Sequence, residues 1–235
     1  MPTVFSHPAP MLALAAIMGG RVSSRMLLFG VLCAVLPDAD VIGFRFGISY
    51  ADAFGHRGFS HSLAFALLMG CVGFGTAPLL LRGSRLMGFF IGFLAVSSHI
   101  LLDAMTNGGL GVAAFWPFDQ TRYFCGWRPI RVSPFSLKAL LSERGLAVML
   151  SELRWIWAPC LAVIAAALFF RKKAYAAHAE GPLPAEAAHK REMLPTRYGN
   201  SWSPFHNGAS IKRPCHRKRL MLFSLKLQRD NQPKP

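Results

Sequence analysis

The chain has 235 residues, 53% of them hydrophobic, with a positive mean hydropathy of +0.35, which leaves room for one or two domains. Its formal charge of +15 does not describe the body: residues 1–170 carry 12 Lys+Arg against 7 Asp+Glu, and residues 171–235 carry 14 against 4. The five cysteines, Cys33, Cys71, Cys125, Cys160 and Cys215, form no CxxC pair, which argues against a disulfide framework and a thiolate zinc site.

The N-terminal stretch MPTVFSHPAP has no Lys or Arg before the first apolar run. A cleavable signal peptide opens on a basic region, so this end, with His7, is expected to be retained. Five apolar segments follow, at 9–20, 26–36, 61–81, 86–105 and 153–170. The last three approach the roughly 20 residues that cross a bilayer, and the first two suit tilted or re-entrant helices in a bundle, joined by a turn at 19–25. The reading is an all-α, multi-pass transmembrane bundle of about four to five apolar helices. A membrane-embedded domain spans 1–173, and a basic tail spans 174–235.

Alternating sides puts Arg21 and Arg25, Arg82 and Arg85, and Arg171 to Lys173 on one face, expected to be cytoplasmic. His7 and the 37–60 and 106–152 connections share the other, periplasmic face. Within 106–152, Ser133-Pro134 reads as a helix start, and Trp116, Trp127, Trp155 and Trp157 suit a membrane–water interface. The tail mixes Ala, Pro, Gly and basic residues and is expected to be disordered, with a short helix around 220–227. Its run Lys212 to Arg219 fits anionic lipid headgroups better than nucleic acid, and simple solvation better than either.

Against this apolar background the metal-ligand side chains stand out, because ionisable groups at membrane depth are costly and usually retained for function. His99 and Asp103 are four apart in SSHILLDAM and share one helix face near the end of the fourth segment, before the helix-stopping Asn107-Gly108-Gly109. In HRGFSH, His56 falls in a loop and His61 in the first turn of the third segment, with Gly58 allowing a close approach and Ser60 as N-cap. In LPDAD, Pro37 stops the second helix and leaves Asp38 and Asp40 in the mouth of a turn, where two acids repel unless a cation or proton lies between them. His7 begins the first segment on the same face. Asp52 and Asp119 have no His neighbour and are expected to be solvated.

The metal set is therefore His7, Asp38, Asp40, His56, His61, His99 and Asp103. Imidazoles and carboxylates suit zinc or manganese, and seven candidates allow one or two ions. Bound metal lowers the pKa of water toward neutrality, leaving Asp38 or Asp40 as the catalytic proton acceptor. Arg57 and Asn107 are the expected substrate-binding residues, Arg57 for an anionic group such as phosphate. The favoured function is a metal-dependent hydrolase acting on an amphiphilic, phosphoester or phospholipid, substrate in the bilayer. A divalent-metal transporter or sensor is the alternative, though transporters usually hold ligands near mid-membrane between repeated halves. A scaffold acting through its tail is the third.

The joint pattern LPDxD, HRGxSHS and SHxLLDxxTNGG, with His7 and the stretch FWPFDQTRYF, resembles the YdjM-like family of bacterial inner-membrane proteins classed by motif as metal-dependent hydrolases. The resemblance covers about residues 1–170. It implies a multi-pass helical protein of the bacterial inner membrane in which His7, Asp38, Asp40, His56, His61, His99 and Asp103 bind divalent metal.

Overall fold

The computed structural model describes residues 1–134 and 136–179. Its regular structure there is helical, apart from two isolated β-bridges, Thr106 with Ile130 and Val112 with Tyr123. The helices are α1 (Ala9–Met18), α2 (Ser24–Val35), α3 (Leu63–Thr76), α4 (Arg85–Ala104), α5 (Leu137–Leu140), α6 (Glu143–Glu152) and α7 (Ala158–Ala179). Serines start three of them: Oγ of Ser23, Ser62 and Ser84 accepts from the backbone N–H of Met26, Phe65 and Met87. The cap of α3 thus falls to Ser62, and Ser60 is left free for the site.

Four helical runs are long and apolar enough to cross a membrane: Ser24–Phe46, Leu63–Leu81, Arg85–Ala104 and Glu143–Ala176. Two are longer than their apolar segments suggest. Pro37 ends the α-helical pattern of α2, but the chain continues as a 3-10 helix over Leu36–Phe46, because a proline in the first turn sacrifices no hydrogen bond. A π-helical turn, Leu153–Trp157, fuses α6 to α7. Ser133-Pro134 starts no helix; the Ser133 N–H donates to the Met1 carbonyl, and helix resumes only at Leu137. At the other end α7 continues past the expected boundary at residue 173. The readings of a disordered tail, a helix at 220–227 and a lipid-binding run at Lys212 to Arg219 lie outside the described residues.

The central pair is α3 against α4. Lipid tails give apolar side chains no reason to prefer one another, so close membrane-helix pairs rely on small residues that let backbones meet. A Cβ on Gly73 would lie 2.1 Å from the Gly88 carbonyl oxygen, and one on Gly92 would lie 2.4 Å from that of Met69. Helix α2 packs on α4, and α1 lies between α2 and α7. At one end of the bundle the basic turns gather: Ser23 Oγ donates to Leu81 O, Arg25 Nη1 to Leu80 O at 3.4 Å, and Arg171 Nη2 to Ala16 O. The start of α1, the end of α2, the approach to α3 and the end of α4 meet at the opposite end.

A candidate metal centre

Each candidate ligand reaches this second end by a different local device. His7 lies in a turn just before α1. Asp38 and Asp40 sit on the 3-10 helix, where three residues per turn send side chains two positions apart in directions about 120° apart. The two acids therefore approach opposite ring nitrogens of His61 and fall in different ligand-like groups. Loop 47–58 carries His56 and Arg57, with Arg57 itself at φ 65°. Gly58 is required there, since a Cβ would come within 2.2 Å of the Ala53 oxygen. His61 closes the 3-10 turn Phe59–His61, and the last turns of α4 supply His99 and Asp103 one helical turn apart.

Asp38, His61, His99 and Asp103 converge so that one ligand atom of each lies within 4.8 Å of all the others. His61 Nε2 is 3.0 Å from His99 Nε2, 3.2 Å from Asp103 Oδ2 and 3.7 Å from Asp38 Oδ1. His99 Nε2 is 3.5 Å from Asp38 Oδ1 and 4.0 Å from Asp103 Oδ2. A tetrahedral ion with bonds of about 2.0–2.1 Å spaces its ligand atoms by about 3.3 Å, close to these edges.

The outer atoms orient the inner ones. His99 Nδ1 donates to the Ala34 carbonyl at 2.8 Å, which turns the Nε2 lone pair inward. His61 Nδ1 lies 3.2 Å from Asp40 Oδ2 and 3.0 Å from Ser60 Oγ, the carboxylate–imidazole arrangement that raises ligand basicity. Asp40 also accepts from His56 Nδ1 at 2.6 Å, the Arg57 N–H at 3.1 Å and Ser60 Oγ at 2.7 Å. Asp40, His56 and His61 form a second ligand-like group, sharing His61 with the first.

The orphaned atoms mark what the tetrad lacks. Both oxygens of Asp38, Oδ1 of Asp103 and both ring nitrogens of His7 are buried without a hydrogen bond. Buried polar groups in native proteins are almost always paired, and a cation is the partner this set of acceptors fits. Arg57, fully buried, offsets one carboxylate through its 3.2 Å contact with Asp103, and Asp38 and Asp40 face only imidazoles among the described ionisable groups. His61 is pushed up to about 10: burial lowers it, but its contacts with Asp103, Asp38 and Asp40 outweigh that. Burial moves His7 the other way, favouring the neutral imidazole that a metal takes. His7 lies beside the tetrad, stacked on His99 at 3.7 Å between centroids, with Nε2 3.5 Å from Asp38 Oδ2 and 3.8 Å from Asp103 Oδ1.

All seven expected ligand residues thus reach one end of the bundle, at unequal depth in the cluster. The two expected substrate contacts behave differently. Arg57 is committed internally: Nη1 donates to Gly108 O and Leu110 O, and Nη2 to Thr106 Oγ1, while Nε faces Asp103. Each guanidinium nitrogen thus has an internal partner, and the side chain ties residues 106–110 to Asp103. Asn107 is exposed on that loop, with Oδ1 accepting from the Val132 N–H. Asp52 and Asp119 stay apart, accepting from the Ser49 and Thr121 N–H groups in local turns.

A profile of the YdjM inner membrane protein family matches residues 1–176, the stretch holding every residue of the cluster. The chain belongs to that family. Inner membrane protein YbcI of Escherichia coli K12 is 41% identical over 162 residues, covering 68% of this chain and 92% of YbcI. Inner membrane protein YdjM of the same organism is 35% identical over 124 residues, covering 49% of this chain and 54% of YdjM. YdjM of Shigella flexneri matches to the same extent, so the chain spans about half the length of the YdjM proteins it matches. No solved structure matches it. This YdjM-family chain is a multi-pass inner-membrane protein with a buried His/Asp cluster compatible with metal binding.

One residue that holds this YdjM-family site together escaped the sequence reading. Glu152, buried on α6, accepts from the Thr3 N–H at 2.6 Å and from the hydroxyls of Thr3 and Ser6 at 2.5 Å each. Trp157 Nε1 donates to the same Ser6 hydroxyl at 3.0 Å. The residue before His7 is thus clasped to the last membrane helix. A carboxylate beside an apolar run was the available signal. Glu152→Ala removes three charge-assisted bonds and is expected to cost about 3 kcal/mol or more. Amide exchange at Thr3 should rise at least tenfold while bound metal is retained, as hydrogen-exchange mass spectrometry with metal analysis would record; unchanged exchange would contradict the clasp.

Proposed function

We propose that this protein is a metal-dependent membrane hydrolase acting on an amphiphilic substrate such as a phospholipid or other phosphoester. The observation that carries the reading is the enclosed tetrad Asp38, His61, His99 and Asp103, whose orphaned carboxylate oxygens call for a cation. Asp38, His61, His99 and Asp103 would hold a divalent ion, zinc or manganese by donor chemistry, which when bound would supply charge stabilisation and a more acidic water. With Oδ1 directed into the tetrad, Asp38 keeps Oδ2 as the proton acceptor, and His7 Nε2 at 3.5 Å receives or returns that proton. Asp40, saturated by His56, Arg57, Ser60 and His61, holds His56 and His61 in place and is the weaker candidate for the acceptor. Asn107 on the exposed loop is the substrate contact.

An apolar groove of about 580 Å³ supports an amphiphilic substrate. Phe5, Leu146, Met149, Leu150 and Leu153 line it, and Ser6, next to His7, contributes to its wall. The Trp127–Trp155 pair and the largely exposed Phe118 give the same end of the bundle interfacial aromatics. The basic turns at the far end support a cytoplasmic assignment there and a periplasmic one for the centre.

Full-length protein in nanodiscs should contain near-stoichiometric zinc or manganese and cleave one member of a lipid and phosphoester panel in a metal-dependent way. Met149→Trp, which fills the groove, should keep its metal and lose about tenfold in kcat/KM for a long-chain substrate. The complete burial of His7, His61, His99 and Asp103 favours a second reading, a divalent-metal transporter or sensor. Metal flux into proteoliposomes without turnover of any panel member would replace the first reading with the second.

A further inference from the structure

We propose that a cleft on the far side of α6 from the apolar groove binds the phosphate group of an anionic ligand. It has a volume of about 210 Å³ and is lined by Asn107, Arg131, Val132, Arg144 and Val148. At about 30 Å³ per water molecule it has room for several waters or one tetrahedral oxyanion. Arg144 and Val148 are four apart on α6, whereas Leu146, Met149, Leu150 and Leu153 occupy the opposite face of that helical run. The cleft is therefore separate from the apolar groove, though it shares Asn107 with the proposed substrate contact.

Its lining is chemically one-sided. Arg131 and Arg144 are the only charged side chains among its described lining residues, where Arg131 is bonded through its backbone N–H and neither guanidinium has an ion pair or a hydrogen bond. The Asn107 carboxamide is fixed by Oδ1 accepting from the Val132 N–H at 3.1 Å, which leaves its NH2 group to donate. The cleft thus offers two guanidinium forks and an amide donor, with no carboxylate in its lining.

The scaffold is held in place before any ligand arrives. The Arg131 N–H donates to Ser151 Oγ on α6 at 3.0 Å, tying Arg131 to the helix that carries Arg144. The Asn107 N–H donates to Ile130 O at 2.9 Å, and the Ile130 N–H to Met105 O at 3.3 Å. Paired guanidiniums on a fixed backbone match the bidentate recognition of phosphate oxygens, and their exposure makes the attraction salt-sensitive. The ligand is a phosphate, carried by an anionic lipid headgroup or free in solution, and its binding does not depend on the hydrolase reading.

The test uses the full chain. Native mass spectrometry after exchange into phosphatidylglycerol or phosphatidylcholine probes the lipid source, and calorimetry with inorganic phosphate in phosphatidylcholine nanodiscs probes the free one. Wild type should bind phosphatidylglycerol, inorganic phosphate or both, with at least tenfold loss in R131Q/R144Q and at lower cost in R131K/R144K, which keeps the charge but not the fork. Phosphatidylglycerol binding alone assigns the headgroup, and binding of both probes assigns the phosphate group itself. Arg144→Gln alone, with the fold checked by circular dichroism, guards against a misfolded double variant. Equal binding by wild type and folded glutamine variants for both probes, or equal retention of the two lipids together with no binding of inorganic phosphate, overturns the site.

Discussion

His99→Ala and His61→Ala are each expected to lower bound metal in the purified protein from near-stoichiometric to under a tenth. Each removes one corner of the tetrad, and neither remaining imidazole can replace it, since His99 Nε2 and His61 Nε2 stand 3.0 Å apart on rigid supports. Losing the buried ring also leaves a cavity worth about 2–4 kcal/mol, so the readout should be metal per folded protein, taken from the monodisperse fraction. His7→Ala is the informative comparison. Its ring touches the tetrad only through stacking and contacts of 3.5–3.8 Å, so it should retain most of the metal. Full retention in both His99→Ala and His61→Ala would remove the assignment of these residues as ligands.

The second large effect belongs to a residue with no direct role in holding metal. Arg57→Leu leaves the Asp103 carboxylate buried without its cation and strips Thr106, Gly108 and Leu110 of their donor. Breaking a buried pair by removing one partner costs about 3–5 kcal/mol. An unfolding titration in mild detergent with increasing dodecyl sulfate should reveal that loss. Arg57→Lys should recover less than half of it, because one ammonium cannot span acceptors that a planar fork reaches from several directions. A variant as stable as wild type would mean that the surrounding loop does not rely on Arg57.

Much of the centre was legible in the sequence because its spacings are local. The i, i+4 relation of His99 and Asp103, the Gly58 that frees the HRGFSH loop, and acids placed at the end of an apolar segment are all short-range facts. The seven carboxylates of residues 1–170 were few enough to weigh one at a time. What stayed hidden depends on chain separation or on helix type. The clasp from Glu152 to Thr3 and Ser6 joins residues about 150 positions apart, and no periodicity announces it. The divergence of Asp38 from Asp40 follows from a 3-10 geometry that DxD spacing does not encode. Arg57 looked like a hand extended to an anion, because the sequence does not say which carbonyls will close around it.

The glycine contacts between α3 and α4 act as a gauge for the chemistry at the end of the bundle. His61 stands just before α3 and His99 stands on α4, so any slip of one helix along the other changes their separation directly. One residue of slip is about 1.5 Å, half the distance between their two ring nitrogens. Gly73 against Gly88, and Gly92 against Met69, bring backbone atoms so close that a side chain at any of these glycines would push the two helices apart. The spacing of the two imidazoles therefore depends on residues that carry no side chain and touch none of the candidate ligands.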